Sequence, residues 1–559
     1  MPSIRSSSLP AVALAIFLSV LLAACGGGSD NPGPAPATVQ LSGKITYDFV
    51  PAVASQNPQG AWSGGLVYTK TIAKPARGVQ VEAVADDGSV LAATQAGADG
   101  AYTLVVPSNT SVRLRAKARL LRAPGTGPSW DFSVRDNTSA GYASGNAALY
   151  AVQGDAFNSG RDASQTRDLN AASGWTGSGY GKARAAAPFA ILDQFYSAIQ
   201  KVLAADGQAT FAPMNTYWSV NNRPASGDPA LGEIGTSHWS ARDDQPGDRP
   251  GLYILGAENV DTDEYDTGVV VHEWGHYFES RFSRADSTGG PHGGGELLDM
   301  RLAFGEAWGN SLAGMVRDDP LYVDTNSTQQ ARVGVVLDLD TIPGYEPRGW
   351  FNEGSVQYVL YQLYKTPTIG FPAIYKVMVG PQKTTEAFTS LFSFATYLRA
   401  EAGAEGKTAI DQLLAGINTV NGADLDIWGS KQTYPSILPA VGEPFVLPVY
   451  TQLSLGTPVT VCRTADFGTV AGWYGNKLGN IRYLRLPITQ AGTYKLQLTS
   501  NPSAAGKILA VYRSGQAVLP MNEVGAEVTL PNLSAGDYAA SLSSWSTTPN
   551  ACFTVTLVQ

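Results

Sequence analysis

Charged side chains are scarce in this chain of 559 residues: Asp, Glu, Lys and Arg together make up 15%, where soluble domains usually carry about a quarter. The hydrophobic fraction, 44%, is ordinary for a folded protein. No basic cluster is present and the formal net charge is −9 at pH 7, which argues against a nucleic-acid partner. The composition therefore predicts several folded, turn-rich domains that do not bind DNA or RNA.

Long apolar runs are also lacking, apart from one at the N-terminus. Residues 9–22 follow a single arginine and are too short to span a bilayer comfortably, which is typical of a secretory signal. The signal, residues 1–24, ends in Leu-Ala-Ala before Cys25, and this resembles a bacterial lipobox. The resemblance implies lipidation of Cys25; a plain signal with an incidental cysteine is the alternative.

Residues 25–38 follow as a flexible tether rich in Gly, Pro, Asn and Asp. A diacylated N-terminus gives stable membrane anchoring. Gly26, in the place where Asp would retain a lipoprotein at the inner membrane, implies by resemblance to bacterial sorting rules the outer membrane or cell surface.

Cysteine is nearly absent, with three in the chain. If Cys25 is lipidated, Cys462 and Cys552 remain. One disulfide between them is the simplest interpretation for an extracytoplasmic protein, and two free buried thiols are the alternative.

Histidine is also rare, with four in the chain, and two of them, His272 and His276, stand four residues apart. Side chains at i and i+4 lie on one face of a helix, so both imidazoles can reach the same ion. Glu273 stands where zinc hydrolases keep the base that takes a proton from water. The pattern predicts one catalytic zinc ion, with His272 and His276 as ligands and Glu273 as general base. A helix that carries two histidines by chance is the alternative.

A hydrolytic zinc site needs a third protein ligand and an open position for water. Glu306 is the preferred ligand, because it lies on the apolar face of a predicted helix over residues 299–316, where an unpaired carboxylate is costly to bury. Glu296 and Asp299 are the competing ligands, and a structural ion pair is the alternative role of Glu306. Gly275 indicates a close approach by substrate or by a neighbouring helix.

These residues belong to a longer ordered pattern. An acidic run at 263–266 leads into the zinc helix, a Ser-Arg pair stands at 280–281, and Gly-Gly-Pro and Phe-Gly-Glu-Ala-Trp-Gly follow at 289–291 and 304–309. The pattern resembles the fungalysin branch of the thermolysin-like zinc metallopeptidases (gluzincins). The resemblance covers about residues 261–316 and implies zinc binding by His272, His276 and Glu306, with Glu273 as the base.

Two departures from that family bear on mechanism. Where the family has an Asp that bonds a zinc-bound imidazole, this chain has Asn310, which still accepts that bond but carries no charge. The family also uses a later histidine to stabilise the oxyanion, and no histidine follows His292.

Tyr358, on a predicted helix over residues 353–365, is the chosen replacement for that oxyanion donor. Ordinary packing of Tyr358 is the alternative, and Tyr345 and Arg348 are further options. His292 lies in a glycine-rich loop and is expected to be exposed, not metal-bound.

The flanking regions show β patterning. Residues 39–120 resemble the carboxypeptidase regulatory-like β-sandwich, and residues 431–559 resemble the bacterial pre-peptidase C-terminal domain, a β jelly-roll. Residues 121–430 are then the metallopeptidase domain. The predicted fold class is multidomain α+β, with an N-terminal β-sandwich, a central mainly helical thermolysin-like zincin unit and a C-terminal jelly-roll.

Other polar residues of the central region are given structural roles. His238 is predicted to be a satisfied structural histidine. The acidic run from Asp261 to Asp266 is compatible with calcium, but stabilisation by the helix dipole explains it already, so calcium is the less favoured interpretation.

The predicted function is that of a lipid-anchored zinc metallopeptidase acting on protein or peptide substrates. The strand at 251–256 is expected to offer an edge on which an extended peptide can pair. The alternative is a surface adhesion or carbohydrate-binding lipoprotein with a catalytically impaired peptidase domain, motivated by Asn310 and the missing later histidine. The oligomeric state stays open.

Overall fold

The computed structural model describes residues 38–241, 249–433, 445–469, 475–545 and 550–559. The signal segment, Cys25 and all but the last residue of the tether lie outside the described residues, so their roles stay predictions. Within the described ranges, no helix is both long and apolar enough to cross a membrane.

Strands dominate both ends of the chain. The first fourteen are β1 (Thr38–Phe49), β2 (Ala52–Gln56), β3 (Trp62–Leu66), β4 (Ile72–Pro75), β5 (Val79–Val84), β6 (Val90–Gln95), β7 (Ala101–Pro107), β8 (Ser111–Arg122), β9 (Trp130–Asp136), β10 (Ala148–Leu149), β11 (Ala151–Gln153), β12 (Phe157–Asn158), β13 (Ser164–Thr166) and β14 (Leu169–Ala171). The central strands are β15 (Met214–Trp218), β16 (His238–Ser240), β17 (Gly251–Ile254), β18 (Gly256–Ala257), β19 (Asp261–Thr262), β20 (Leu321–Asn326) and β21 (Arg332–Asp338). The last strands are β22 (Tyr450–Gln452), β23 (Val459–Arg463), β24 (Arg482–Ile488), β25 (Gly492–Asn501), β26 (Lys507–Arg513), β27 (Gln516–Val524), β28 (Glu527–Leu533), β29 (Gly536–Ser543) and β30 (Ala551–Val558).

The α-helices lie in the middle of the chain. They are α1 (Ala187–Ala205), α2 (Thr267–Phe282), α3 (Met300–Arg317), α4 (Glu353–Lys365), α5 (Gly370–Val379), α6 (Pro381–Thr384), α7 (Leu391–Glu401) and α8 (Ala404–Gly416). Helices α2, α3 and α4 hold the residues singled out above as metal ligands and their neighbours.

One large sheet joins the N-terminal and central regions. Its order is β16-β17-β15-β9-β8-β5-β6, and β15 runs parallel to both β9 and β17. Strands β15 and β17 are almost continuously buried, as expected for strands covered on both faces. Helix α1 packs against this sheet with a buried apolar side.

The predicted fold class is wrong for the centre of the chain. Strand makes up 37% of the structure and helix 24%, and among the described residues no centrally helical thermolysin-like unit stands apart from the sheets. The physical reason lies in strand pairing: β9 and β15 bond to each other, so the large sheet runs on past the predicted boundary at residue 120. Strands β15 and β17 show no strong alternation in the sequence because they are buried on both sides, and β16, β18 and β19 are too short to show any.

The interpretation of strand β17 as a peptide-binding edge is also wrong. Strand β17 pairs with β15 on one side and with β16 on the other, so both of its edges are occupied. In the described part of the chain, the sheet β18-β19-β20-β21 instead ends at β21.

The C-terminal region forms two sheets, β22-β24-β29-β26-β27 and β23-β30-β25-β28, with an apolar core of its own. The predicted disulfide is confirmed: Cys462 and Cys552 face each other on the paired strands β23 and β30 and are bonded. A second, larger core runs from β1 through the helices and includes Tyr483 of β24. The C-terminal sheets are therefore packed onto the helical region.

Candidate metal centre

Helices α2 and α3 approach each other closely at two glycines. A Cβ added to Gly275 would lie 3.0 Å from the Cα of Gly309, and one added to Gly309 would lie 2.8 Å from the His272 ring. Trp308 donates its indole N–H to the carbonyl of Gly275 at 3.2 Å. Of the two explanations for Gly275, the structure therefore supports contact with a neighbouring helix. The close approach brings Glu306 on α3 beside the histidines on α2.

The three predicted ligands converge. His272 Nε2 and His276 Nε2 are 3.0 Å apart, and each is 3.4 Å from Glu306 Oε2. Ligand atoms arranged tetrahedrally about 2.0–2.1 Å from a zinc ion are about 3.3–3.4 Å from one another. The spacing therefore fits a single zinc ion between the three side chains.

The Nδ1 atoms of both histidines face hydrogen-bond acceptors. His272 Nδ1 lies 2.7 Å from Asn310 Oδ1, and His276 Nδ1 lies 3.6 Å from Glu279 Oε2. A proton on each Nδ1 leaves the two Nε2 lone pairs pointing at each other, which is repulsive without a cation between them. This arrangement fits a metal ion as well as the distances do.

Asn310 links the centre to helix α4. Its amide nitrogen donates to Glu353 Oε1 at 2.7 Å and to Gln357 Oε1 at 2.8 Å, while its oxygen faces His272. An aspartate would have no hydrogen to donate to these acceptors. The negative charge that the family places on an Asp is carried here one residue further back, on Glu353.

The electrostatics of the centre favour a positive charge. Burial lowers the pKa of His276, but Glu306 and Glu279 raise it more, so the net pKa lies well above its ordinary value. Burial raises the pKa of Glu306, yet the two imidazoles hold it well below its usual range. A divalent cation bound to these atoms would supply the same charge.

The centre opens into a cavity of about 1120 Å³. Glu273 lines it, and one of its carboxylate oxygens lies within 4.8 Å of one ring nitrogen of each histidine. Further carboxylates in the wall are Glu279, Asp324, Glu346 and Glu353. The cavity is therefore acidic and has room for an extended peptide segment.

His292 lies closer to the centre than the sequence indicated. Its side chain is 26% exposed, and its Nε2 atom lies 3.4 Å from Glu306 Oε2 and 3.7 Å from Glu353 Oε2. Nδ1 contacts the carbonyl of Gly290 at 3.1 Å. The residue as a whole is exposed, as the glycine-rich loop predicted. Its nearness to Glu306 was not predicted, and its position after Gly-Gly-Pro was the available signal.

The competing ligands have other partners. Glu296 Oε2 accepts from Lys477 Nζ and from the Gly293 N–H, each at 2.7 Å. Asp299 caps α3 by accepting from the Arg301 N–H and also bonds the Tyr483 hydroxyl. Neither carboxylate completes the centre.

The structure does not bring the predicted oxyanion donors to the centre. Tyr358 is partly buried against the core and is absent from the cavity lining. Tyr345 is 81% exposed, and Arg348 donates to the carbonyl of Gly416. Tyr322, which was not singled out, lines the cavity with its ring 6.1 Å from that of His272. His238 stacks on Tyr253 and also lines the cavity.

Asp324 of strand β20 lies beside two aspartates of the acidic run. Carboxylate oxygens of Asp261, Asp263 and Asp324 lie within 4.8 Å of one another. Asp266 stands apart in function, because it accepts from the N–H and hydroxyl of Thr325 and so ties the start of α2 to β20. Calcium at the cluster stays a prediction.

Comparisons with known proteins place the chain in no family. No family model and no curated protein matches it. The pre-peptidase C-terminal domain of a Bacillus anthracis collagenase aligns at 8% identity over 19% of this chain and 93% of that chain, with a TM-score of 0.15. The g-type lysozyme inhibitor PliG of Aeromonas hydrophila aligns at 11% identity over 19% of this chain and 96% of that chain, with a TM-score of 0.14. Likeness at these scores carries no argument about function.

Adding a methyl group at the helix contact should disturb the metal centre. We expect Gly309→Ala to weaken zinc binding about tenfold or more, because the new Cβ overlaps the His272 ring and overpacking costs about 1–3 kcal/mol. Zinc affinity is measured by competition with a chromophoric chelator. Gly416→Ala is the matched control, a helical glycine whose added Cβ meets no atom within 4 Å. Equal zinc affinity in the two variants would contradict the contact.

The acidic cluster predicts a pH-dependent stability of the metal-free protein. Burial raises the pKa of Asp324 to about 6; burial and the charge of Asp324 raise the pKa of Asp261 to about 7. Since an unfolded aspartate has a pKa of about 3.9, the folded chain keeps protons that the unfolded chain has released, and stability falls from about pH 4 to pH 7.

Replacing one acid of the cluster should remove part of this loss. Asp324→Asn is expected to raise Tm by about 3 °C or more at pH 8 and by much less at pH 4.5, measured by thermal unfolding with chelator present. Asp86→Asn, at a side chain 60% exposed, is the control. The same Tm change at both pH values would show that these carboxyls titrate normally.

Proposed function

We propose that this chain is a zinc-dependent metallopeptidase of the thermolysin-like type. One observation carries the proposal: Glu306 Oε2 lies 3.4 Å from Nε2 of both His272 and His276, although 30 residues separate it from the nearer histidine in the sequence. A buried carboxylate beside two imidazoles needs a positive charge, which a zinc ion would supply and which a protonated His276 supplies in the metal-free protein.

Each nearby residue then has a defined task. His272, His276 and Glu306 would hold the zinc, and Asn310 keeps the His272 ring in the orientation needed. When bound, zinc lowers the pKa of a coordinated water to about 7 and polarises the scissile carbonyl. Glu273 accepts the water proton and delivers it to the leaving amine nitrogen. His292 Nδ1 donates to the Gly290 carbonyl, so His292 would have to carry a second proton, on Nε2, to donate to the carbonyl oxygen as negative charge develops there.

The shape of the cavity favours an extended peptide as substrate. Val335 and Leu337 of strand β21 line it, and Val335 is 45% exposed. Within the described residues, no strand pairs with the far edge of β21. A peptide backbone can therefore add to the part of this edge that lines the cavity, as in other strand-addition complexes.

The address of the enzyme is proposed from the N-terminal segment. The lipobox-like sequence before Cys25 supports a lipid anchor in the bacterial outer membrane or at the cell surface. The proposed reaction then takes place outside the cytoplasm, where the Cys462–Cys552 disulfide is also stable.

The two arguments for an impaired peptidase lose weight in the folded chain. Asn310 has Glu353 directly behind it, so negative charge is available to the His272 side of the centre. No histidine follows Glu306 in the sequence, but His292, which precedes it, lies beside it in the fold. Both contacts favour catalysis over a purely adhesive function.

Removing the base should separate zinc binding from catalysis. We expect Glu273→Gln to keep one zinc per chain by elemental analysis, because Glu273 is not a ligand, and to lower casein cleavage by about 10²–10⁴-fold. Cleavage by the unaltered protein should stop on chelation and return with zinc. Glu405→Gln, exposed on α8, is the control for loss of one carboxylate. Full cleavage by the Glu273→Gln protein would sink the proposed mechanism.

His292 should act on turnover and not on zinc binding. His292→Ala is expected to lower kcat for a fluorogenic peptide by about 10²–10³-fold, the usual loss for an oxyanion donor, with KM nearly unchanged. Zinc content is measured on the same samples. Loss of the zinc would instead make His292 a fourth ligand, and an unchanged kcat would leave it without a role.

A further inference from the structure

The loop that carries His292 has little structure of its own. Five of the seven residues 289–295 are glycines, and an added Cβ at Gly289, Gly293 or Gly295 would meet no atom within 4 Å. Such a segment has many conformations available, so fixing it costs conformational entropy. Contacts from outside the loop must therefore hold the imidazole near Glu306.

Those contacts come from the C-terminal β region. Asn476 donates its side-chain N–H to the carbonyls of Gly289 and Pro291, at 2.9 and 3.1 Å. Lys477 Nζ donates to the carbonyl of Pro291 at 2.9 Å and to Glu296 Oε2 at 2.7 Å. The carbonyls held in this way belong to Gly289 and Pro291, which lie just before His292 in the chain.

The segment that makes these contacts is itself fixed. Asn476 is fully buried and Lys477 is 5% exposed, although lysine is almost never buried without a partner. Main-chain bonds join Leu478 N to the carbonyl of Leu297 and Asp299 N to the carbonyl of Asn476, at 2.8 and 2.9 Å. Asn480 donates to the carbonyls of Thr464 and Gly468 and so ties the segment to the rest of the C-terminal region.

We propose that Asn476 and Lys477 are positioning residues that hold His292 at the metal centre, which makes the C-terminal β region part of the catalytic cleft. The catalytic part of this inference rests on the proposed peptidase function. The contacts themselves do not, because they are made to main-chain carbonyls and to Glu296, outside the ligand set. The region is then needed for turnover and is not a detachable cap or adhesion module.

The test compares Lys477→Met, which keeps most of the length of the side chain and removes its charge, with Lys495→Met. Lys495 is the control for loss of a lysine that pairs with a glutamate: it pairs with Glu527 at 2.8 Å, but it is more exposed than Lys477 and lies on β25, away from the loop. Asn476→Asp is the second loop variant, because it removes both N–H donors without changing the size of the side chain. All are made in the full chain.

Three measurements are made on each variant: amide hydrogen exchange of residues 289–296, zinc per chain, and kcat and KM for a fluorogenic peptide. Lys477→Met should speed exchange in the loop at least tenfold and lower kcat at least tenfold, with zinc content unchanged. Lys495→Met should change none of these. If Lys477→Met does not fold, Asn476→Asp should give the same pattern.

A double-mutant cycle then identifies the route of the effect. In the His292→Ala background, Lys477→Met should lower kcat no further, because the group it positions is already gone. Fully additive losses, or unchanged loop exchange in both loop variants, would overturn the proposal. If the unaltered protein cleaves no peptide at all, the peptidase function fails, while faster loop exchange in Lys477→Met would still establish that Lys477 holds the loop.

Discussion

The candidate metal centre depends on one steric constraint, the contact of two helix backbones at Gly275 and Gly309. A side chain at either position would hold α2 and α3 apart, and Glu306 would then sit too far from the imidazoles to share an ion with them. Trp308 locks the same crossing with a hydrogen bond to the carbonyl of Gly275. The glycines lower helix propensity by about 1 kcal/mol each relative to alanine, and ligand convergence is what the chain gains from them.

Around that crossing, an amide does what a carboxylate cannot. Asn310 accepts from His272 and donates to Glu353 and Gln357, so all of its polar atoms are used in a buried setting. An aspartate there would have no hydrogen to donate to the two acceptor oxygens, and its negative charge would be repelled by the charge of Glu353 at close range. In the resembled family, an Asp contacts the imidazole directly. Here Asn310 lies between the His272 imidazole and the Glu353 carboxylate and is hydrogen-bonded to both.

Local periodicity was enough to predict part of this site. The i, i+4 spacing put His272 and His276 on one face of a helix, and their role as ligands stays a prediction. The helices predicted over 299–316 and 353–365 correspond to α3 and α4. The sequence could not predict which distant strands pair. The predictions of a mainly helical centre and of a free edge on β17 were therefore both wrong. Glu279 stands three residues after His276, so the same helical spacing could have predicted its contact with His276. The positions of Asp324 and Glu353 at the cavity could not be predicted in this way, because tertiary packing alone sets them.

Two kinds of structural element, buried helices and a glycine-rich loop, carry the side chains of this cavity, and they differ in rigidity. The proposed zinc ligands and the base stand on buried helices, where packing fixes their side chains to within the tolerance that coordination needs. His292 stands on a glycine-rich loop whose shape depends on Asn476 and Lys477. The proposed zinc ligands and the base must keep their positions during the reaction, and rigid helices provide this. A donor that must meet a substrate oxygen suits a loop with some freedom, provided that another part of the chain limits how far it moves. The packing of the C-terminal sheets on the helical region therefore bears on chemistry as well as on stability.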